Sequence, residues 1–433
     1  MCVYSFIFIH IRVLGSGVGA LARCLDNDKN LLKDLQSLAP PPKSSSSSKE
    51  RSIIDTNQDD DSLRLASKIY SSITAYLITH PHLDHLSSLV INSSQKFGSF
   101  KHLIGFEKTL KGVELAFGGL LWPALASWAN KGGLVERLQY FQVEPFSPFE
   151  IPSPYNQFTA VAYPVSHGTI GLIADAKTHA YLQVEKDPNQ TYDSIAYFIE
   201  LNEHQKSFLF WGDVEPDAIS TLPRNKPVWI EAAKRFVLGN LKWIWIECSY
   251  TNSRPNNLLF GHFKPQLLID ELQTLGILVE NFKQMNKDEL INVNSSNFSL
   301  DDKYHEKFYE NNNNNNNDYN NNEYNFYEKN YNDKSDFHPL SYQASKTLNE
   351  ALFSGLNYNN KLGYNKHFYN VKHHKTYKPL DGLVIAITHV KEDPNKGVTV
   401  VSDTIMNELN SNKSTSELGV RFYKPKQGER VQF

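Results

Sequence analysis

Cysteine is scarce in this sequence. Only three cysteines occur in 433 residues, and Cys2, Cys24 and Cys248 are scattered along the chain. This small number excludes the dense disulfide framework that small secreted proteins use. We therefore expect a protein of a reducing compartment, and predict a cytoplasmic location.

Long hydrophobic runs are also missing. The apolar stretch Val3–Leu14 is short and contains His10 and Arg12, so it falls well below the roughly 20 apolar residues of a membrane-spanning helix. It also lacks the basic start and nearby cleavage site of a signal peptide. A core strand over Phe6–Val13 is the better interpretation, and we expect no membrane partner.

The charges of the chain nearly cancel. The formal net charge is −3, without the strongly basic balance that favours binding to nucleic acids or anionic membranes. We therefore expect no nucleic-acid partner.

The hydrophobic fraction of 40% and the aromatic fraction of 12% are typical of a globular protein, and we predict a single domain that spans residues 1–433.

Two stretches have low-complexity composition. Residues 40–61 contain three consecutive prolines, five consecutive serines and a run of three aspartates, and residues 292–336 contain seven consecutive asparagines. Such segments cannot bury enough apolar surface to offset the entropy of ordering. We predict that both are disordered insertions in the domain.

The remaining segments alternate between strand-like and helix-like patterns, which indicates an α/β (α+β) fold with a layered αββα arrangement. The predicted strands are Phe6–Val13, Ile73–Ile78, Phe158–Val165, Ser194–Leu201, Ser207–Trp211, Lys242–Glu247 and Leu383–Thr388. The predicted helices are Gly19–Leu38, Leu63–Ser71, Leu86–Asn92, Leu115–Lys131, Lys226–Leu238, Lys264–Asn281 and Ser402–Asn412.

A histidine-rich cluster lies between a predicted strand and a predicted helix. Four of its six residues are metal-ligand types: His80, His82, Asp84 and His85. Alternate residues of an extended segment point to the same side, so His80 and His82 can reach one metal ion. After the turn, Asp84 and His85 can face a second. Two cations about 3.5–4 Å apart can stabilise both the attacking and the leaving oxygen of a phosphoryl transfer.

Three further candidate ligands follow predicted strands. His167 comes shortly after Phe158–Val165, Asp213 after Ser207–Trp211, and His389 directly after Leu383–Thr388. Binding sites in layered α/β proteins gather at strand ends. Each residue is ambiguous alone, but together they can complete a two-metal site.

These residues resemble the motifs of the metallo-β-lactamase superfamily, and within it most closely the class II cyclic-nucleotide phosphodiesterases of the low-affinity yeast type. Residues His80–Ser94 follow the signature of that family, except that Ser94 stands where Ala or Pro is usual. The segments Trp243–Tyr250 and Leu259–Pro265 also look like this family. The resemblance implies a metallo-β-lactamase-like αββα sandwich.

The resemblance also implies roles for individual residues. It assigns His80, His82 and His167 to one metal ion, Asp84, His85 and His389 to the other, and Asp213 to both. It implies two divalent metal ions, with Zn²⁺ the first expectation and Mn²⁺ or Fe as alternatives. By analogy with tRNA 3′-processing nucleases, Glu247 would orient His262, and His262 would donate a proton to the leaving oxygen or steady the phosphate. The candidate catalytic residues are thus Asp84, Glu247 and His262.

The implied function is metal-dependent hydrolysis of 3′,5′-cyclic nucleotides, cAMP and also cGMP, to 5′-monophosphates, which would lower cAMP signalling. The partner is a small cyclic nucleotide, and a homodimer is one of the oligomeric states that the sequence allows. One alternative is an RNA-directed phosphodiesterase of the same superfamily. Another is an inactive, N-terminally truncated binding protein, because the Gly-rich stretch 15–20 resembles a later family segment and the first strand or strands would then be missing.

Overall fold

The fold is described from a computed structural model for residues 58–95, 98, 100–128, 137–152, 157–169, 172–174, 181–183, 191–203, 205–286, 290, 378–391 and 398–425. No helix in these ranges is long and apolar enough to cross a membrane. The predicted strand Phe6–Val13, the predicted helix Gly19–Leu38 and the insertion predicted at 292–336 lie outside the described residues.

Strands and helices alternate along the described chain. The strands are β1 (Ala75–Leu77), β2 (Lys101–Gly105), β3 (Ala126–Trp128), β4 (Leu138–Gln142), β5 (Pro148–Glu150), β6 (Phe158–Thr169), β7 (Leu172–Ala174), β8 (Tyr181–Gln183), β9 (Thr191–Leu201), β10 (Lys206–Trp211), β11 (Leu241–Glu247), β12 (Val384–Thr388) and β13 (Arg421–Tyr423). The helices are α1 (Gln58–Ser72), α2 (Leu83–Asn92), α3 (Glu107–Ala116), α4 (Asn225–Val237), α5 (Pro265–Lys283), α6 (Val398–Ser411) and α7 (Lys413–Leu418).

The strands form two large sheets and a small hairpin. The first sheet has the order β1-β2-β4-β3, and its strands are parallel. The second has the order β13-β12-β11-β10-β9-β6-β5. In it β10 to β13 are parallel, while β9 is antiparallel to both β10 and β6. The strands β6, β10, β11 and β12 therefore end at the same edge of the sheet.

The two sheets pack face to face, with helices on both outer sides. Because successive side chains of a strand point to opposite faces, Ile104 of β2 packs against Ile195 and Tyr197 of β9 between the sheets. The side chain of the neighbouring Leu103 packs instead on the other face of the sheet, against α1, α2 and α3. Phe198 on the other face of β9 belongs to the core formed with α4, α5 and α6. The predicted αββα arrangement is confirmed.

The buried Tyr197 ties the two sheets together next to the histidine cluster. Its hydroxyl lies 2.8 Å from the carbonyl oxygen of Ile78 and 3.3 Å from that of Ile104. Because Ile78 follows β1 directly, this contact fixes the backbone two residues before His80.

Several predicted elements differ from those of the structure. The described part of the predicted helix Leu115–Lys131, up to residue 128, is the end of α3, a turn and strand β3. Gly118, Gly119 and Pro123 interrupt it, and Gly119 has a φ of +86°. Helix α1 begins at Gln58 rather than at Leu63. Helix α2 begins at Leu83 rather than Leu86, because Asp84 in its first turn suits the positive end of the helix dipole.

Candidate functional site

The edge where β6, β10, β11 and β12 end carries four of the candidate site residues. Glu247 is the last residue of β11, His389 follows β12 directly, and Asp213 comes two residues after β10. His167 lies in β6 at a register shift between Ser166 and Thr169. The shared strand direction brings together residues that are more than 200 positions apart in the sequence.

The histidine-rich cluster faces this edge from the first sheet. His80 and His82 lie in the extended turn after β1, and Asp84 and His85 lie in the first turn of α2. The rings of His80 and His82 have centroids 5.0 and 5.1 Å from the ring of His167. The metal-ligand types of both sheets therefore meet in one place.

Histidine nitrogens converge on a single carboxylate oxygen. The Nε2 atoms of His85 and His389 lie 3.2 and 3.1 Å from Oδ2 of Asp213, and those of His80 and His167 lie 3.8 Å from it. The exposed fraction of Asp213 is only 3%. Such convergence of imidazole and carboxylate groups is what a shared metal ligand requires.

The outer ring nitrogens of three histidines are held by hydrogen-bond partners. Nδ1 of His167 donates to the carbonyl oxygen of Gly261 at 2.9 Å, and Nδ1 of His80 lies 3.1 Å from the hydroxyl of Thr79. Nδ1 of His389 lies 3.0 Å from the hydroxyl of Ser249. Partners of this kind fix the tautomer that leaves Nε2 free to bind a metal.

The electrostatics favour deprotonated ligands. Burial lowers the pKa of His167 to about 3 and the pKa of His389 and His82 below the ordinary value. Burial opposes ionisation of Asp213, but the hydrogen bond from His85 and the neighbouring histidines hold its pKa well below the usual range. Metal ions bind neutral imidazole and ionised carboxylate, so these directions suit a cation site.

The donor set fits divalent cations. The candidate ligand atoms of His80, His82 and His167 form one group whose members lie within 4.8 Å of one another; we call it the first ligand group. Those of Asp84, His85, Asp213 and His389 form the second ligand group under the same limit. Nε2 of His80 is buried without a hydrogen-bond partner among the described residues, as expected for an atom that binds a cation.

Glu247 and His262 form a buried pair beside both ligand groups. Oε1 of Glu247 lies 2.8 Å from Nδ1 of His262, and the ring of His262 is 4.8 Å from that of His167 and 5.1 Å from that of His389. Unlike the four histidines above, His262 turns Nδ1 towards Asp213, at 3.8 Å. Burial raises the pKa of Glu247 to about 8 and lowers that of His262 to about 4, so both directions favour an uncharged pair.

The structure thus gathers the nine candidate residues in one site. Sequence reasoning missed several others that contact them. Ser249 donates to Oε2 of Glu247 at 2.6 Å, Nζ of Lys391 lies 3.3 Å from Oδ2 of Asp84, and the ring of Tyr192 lies 4.3 Å from that of His82. Ser249 and Lys391 lie in segments next to candidate residues, but no spacing rule distinguishes them from ordinary loop residues.

The sequence resembles a known family and several curated proteins. The family model for class-II cAMP phosphodiesterases matches residues 42–294. A 3′,5′-cyclic-nucleotide phosphodiesterase of Schizosaccharomyces pombe is 33% identical over 217 residues, which cover 48% of this chain and 53% of the relative. The 3′,5′-cyclic-nucleotide phosphodiesterase 1 of Saccharomyces cerevisiae is 27% identical over 230 residues, which cover 52% and 56%. The chain therefore spans about half the length of these curated relatives.

A solved structure shares the fold. The crystal structure of unliganded yeast PDE1 matches with a TM-score of 0.55 and 19% sequence identity, over 96% of this chain and 88% of that one. At this identity the likeness establishes the fold alone, and it agrees with the two packed sheets described above.

Proposed function

The chain belongs to the class-II cAMP phosphodiesterases, and from this premise we propose that it hydrolyses 3′,5′-cyclic nucleotides to nucleoside 5′-monophosphates. The observation that carries the proposal is the convergence of four histidine Nε2 atoms on Oδ2 of Asp213. Its relatives bear the name of this activity. Cyclic AMP is the first substrate to test, and its removal would lower cAMP signalling.

Two divalent cations would be held by the two ligand groups. The first ligand group would hold one cation, the second would hold the other, and Asp213 would serve both. When bound, the cations supply Lewis-acid stabilisation of phosphoryl oxygens and a water of lowered pKa. Three imidazoles in the first ligand group favour Zn²⁺, and the carboxylates of the second also suit Mn²⁺ or Fe.

Glu247 and His262 would together supply a proton to the leaving 3′-oxygen. The carboxyl of Glu247 is immobilised by the backbone N–H of Val214 at 2.9 Å and by the hydroxyl of Ser249. A fixed carboxyl in turn fixes the ring of His262 through Nδ1. The Nε2 edge is then the one that His262 can offer to the substrate, where an N–H donor can steady the phosphate or protonate the leaving oxygen.

Hydrolysis of 3′,5′-cAMP by the full chain reconstituted with Zn²⁺ or Mn²⁺ tests the proposal. Chromatography separates 5′-AMP from 3′-AMP and from substrate. We expect 5′-AMP as the product, loss of activity on chelation, recovery on return of the cation, and no activity in the Asp213→Asn variant. The matched control is Asp403→Asn, which changes an exposed aspartate paired with Lys424. Folded protein that binds cations but leaves cAMP intact would refute the proposal.

We further propose that the protein is cytoplasmic and that it is a single domain acting on a small-molecule substrate. Cys248, a free cysteine, is buried, and a reduced cysteine there agrees with that location.

A further inference from the structure

The loop between β11 and α5 carries an aromatic–arginine stack. The guanidinium carbon of Arg254 lies 4.7 Å from the ring centroid of Tyr250 and 5.6 Å from that of Phe260. We call these three residues the loop stack. A cation over two aromatic faces stabilises their relative placement, so the stack is a defined surface rather than a set of independent side chains.

Hydrogen bonds inside the loop stiffen it further. Nε of Arg254 donates to the carbonyl oxygen of Leu258 at 2.9 Å, and Nζ of Lys264 donates to the carbonyl oxygen of Arg254 at 3.0 Å. Ordering the loop in this way before a ligand arrives lowers the entropy cost of binding.

The loop stack adjoins the candidate metal site. The ring of Tyr250 lies 5.9 Å from the ring of His262. Phe260 directly precedes Gly261, whose carbonyl oxygen accepts the Nδ1 hydrogen bond of His167. Gly261 also packs so closely that an added Cβ would lie 2.6 Å from the carbonyl carbon of His167. The loop is therefore anchored against a candidate metal ligand, and Phe260 is held near the place where the phosphate would bind.

Phe260 is energetically unfavourable at this position. Its exposed fraction is 65%, and its φ is +51°, in the left-handed region that favours glycine. Strain of this kind carries an energetic cost and is found mostly at functional sites. Most of the aromatic surface is presented to solvent, so burial in the protein itself offsets little of this cost. A ligand that covers the ring would explain why it is kept there.

We propose that the loop stack is the subsite that receives the nucleobase of the substrate, with the base stacked on Phe260. The inference rests on the proposed function and adds the residue that binds the base. Bases have flat π-faces that stack on aromatic side chains without sequence-specific hydrogen bonds. The larger face of a purine should stack better than that of a pyrimidine, so the subsite favours cAMP and cGMP over cyclic UMP.

The test compares cAMP with a substrate that lacks a base, methyl riboside 3′,5′-cyclic phosphate. Phosphorus NMR follows hydrolysis of both by the reconstituted full chain. The measured quantity is kcat/KM for cAMP divided by kcat/KM for the base-free substrate. Because stacking on an aromatic side chain contributes to binding of the base, Phe260→Ala should lower this ratio about tenfold. The change should appear mainly in KM, and Phe260→Trp should retain the ratio.

The control is Leu120→Ala, which removes another exposed apolar side chain, 94% exposed on a loop of the first sheet, and should leave the ratio unchanged. An equal loss with both substrates in Phe260→Ala would overturn the inference, as would no loss with either while the wild type hydrolyses cAMP. In those cases the proposed function would stand. If the wild type hydrolyses neither substrate, the proposed function fails, and the subsite that rests on it fails too.

Discussion

Arg224 holds together three parts of the fold beside the candidate metal site. Its exposed fraction is 7%. Its guanidinium donates to the hydroxyl of Ser166 at 2.9 Å, to the carbonyl oxygen of Val165 at 2.9 Å and to Oδ1 of Asp193 at 2.8 Å. Lys108 of α3 reaches the same aspartate at 2.7 Å. Burial opposes ionisation of Asp193, but Arg224 and Lys108 hold its pKa below the usual value.

Replacing Arg224 by Met should cost about 3 kcal/mol of unfolding free energy. Removal of one partner of a buried ion pair costs about 3–5 kcal/mol, because the other charge stays buried without compensation. We expect the lower end of that range, since Lys108 still contacts Asp193. The side chain of Lys108 is 52% exposed, so solvent screens its contribution and it cannot replace Arg224 fully.

Urea unfolding at pH 7 measures this cost. The matched control is Lys424→Met, which breaks an exposed ion pair with Asp403 and should cost less than about 1 kcal/mol. The double variant Arg224→Met with Asp193→Asn should be more stable than Arg224→Met alone, because it also removes the stranded carboxylate. A loss below about 1 kcal/mol in the single variant, or a double variant less stable than the single one, would refute the reasoning.

Two further predictions concern the Glu247–His262 pair and a buried carboxyl remote from it. Replacing His262 by Ala should lower turnover of cAMP by about 10²–10⁴ while the metal content measured by mass spectrometry stays that of the wild type; unchanged turnover would remove His262 from the mechanism. Burial and the charge of Asp217 raise the pKa of Glu271 to about 8, so the wild type loses stability from this group as pH rises from about 4.5 towards 8. Glu271→Gln cannot titrate, and its urea midpoint relative to the wild type should therefore be higher at pH 9 than at pH 5; a difference that is constant or falls would contradict the assignment.

The convergence of the candidate ligands could be predicted from the sequence because it depends on local rules. His80 and His82 alternate in an extended segment, and Asp213 and His389 follow apolar strands. Once strands are parallel, their ends meet without further information. The partners that orient these ligands could not be predicted. Ser249 lies 140 residues before His389, and only the finished fold places its hydroxyl 3.0 Å from Nδ1 of that ring.

Only β1 of the first sheet could be predicted from the sequence, whereas β2, β3 and β4 could not. Strand β2 contains Lys101 and His102, which do not form an apolar run. Lys101 is nevertheless buried, because its Nζ donates to the carbonyl oxygen of Ile73. Strand β3 has only three residues, too few for a period of two to stand out. The number of apolar residues around β3 favours a helix, but Gly119 and Pro123 break it.

The central claim is that the two ligand groups hold two cations through Asp213. The most direct test is the number of Zn²⁺ ions bound per folded chain, measured by native mass spectrometry on the wild type, on Asp213→Asn and on His102→Asn. His102 lies in β2 outside both ligand groups, so its variant controls for the loss of an imidazole. We expect about two ions in the wild type and in His102→Asn, and clearly fewer in Asp213→Asn. Folded wild-type protein that binds one ion or none, or an Asp213→Asn variant that keeps both, would contradict the claim.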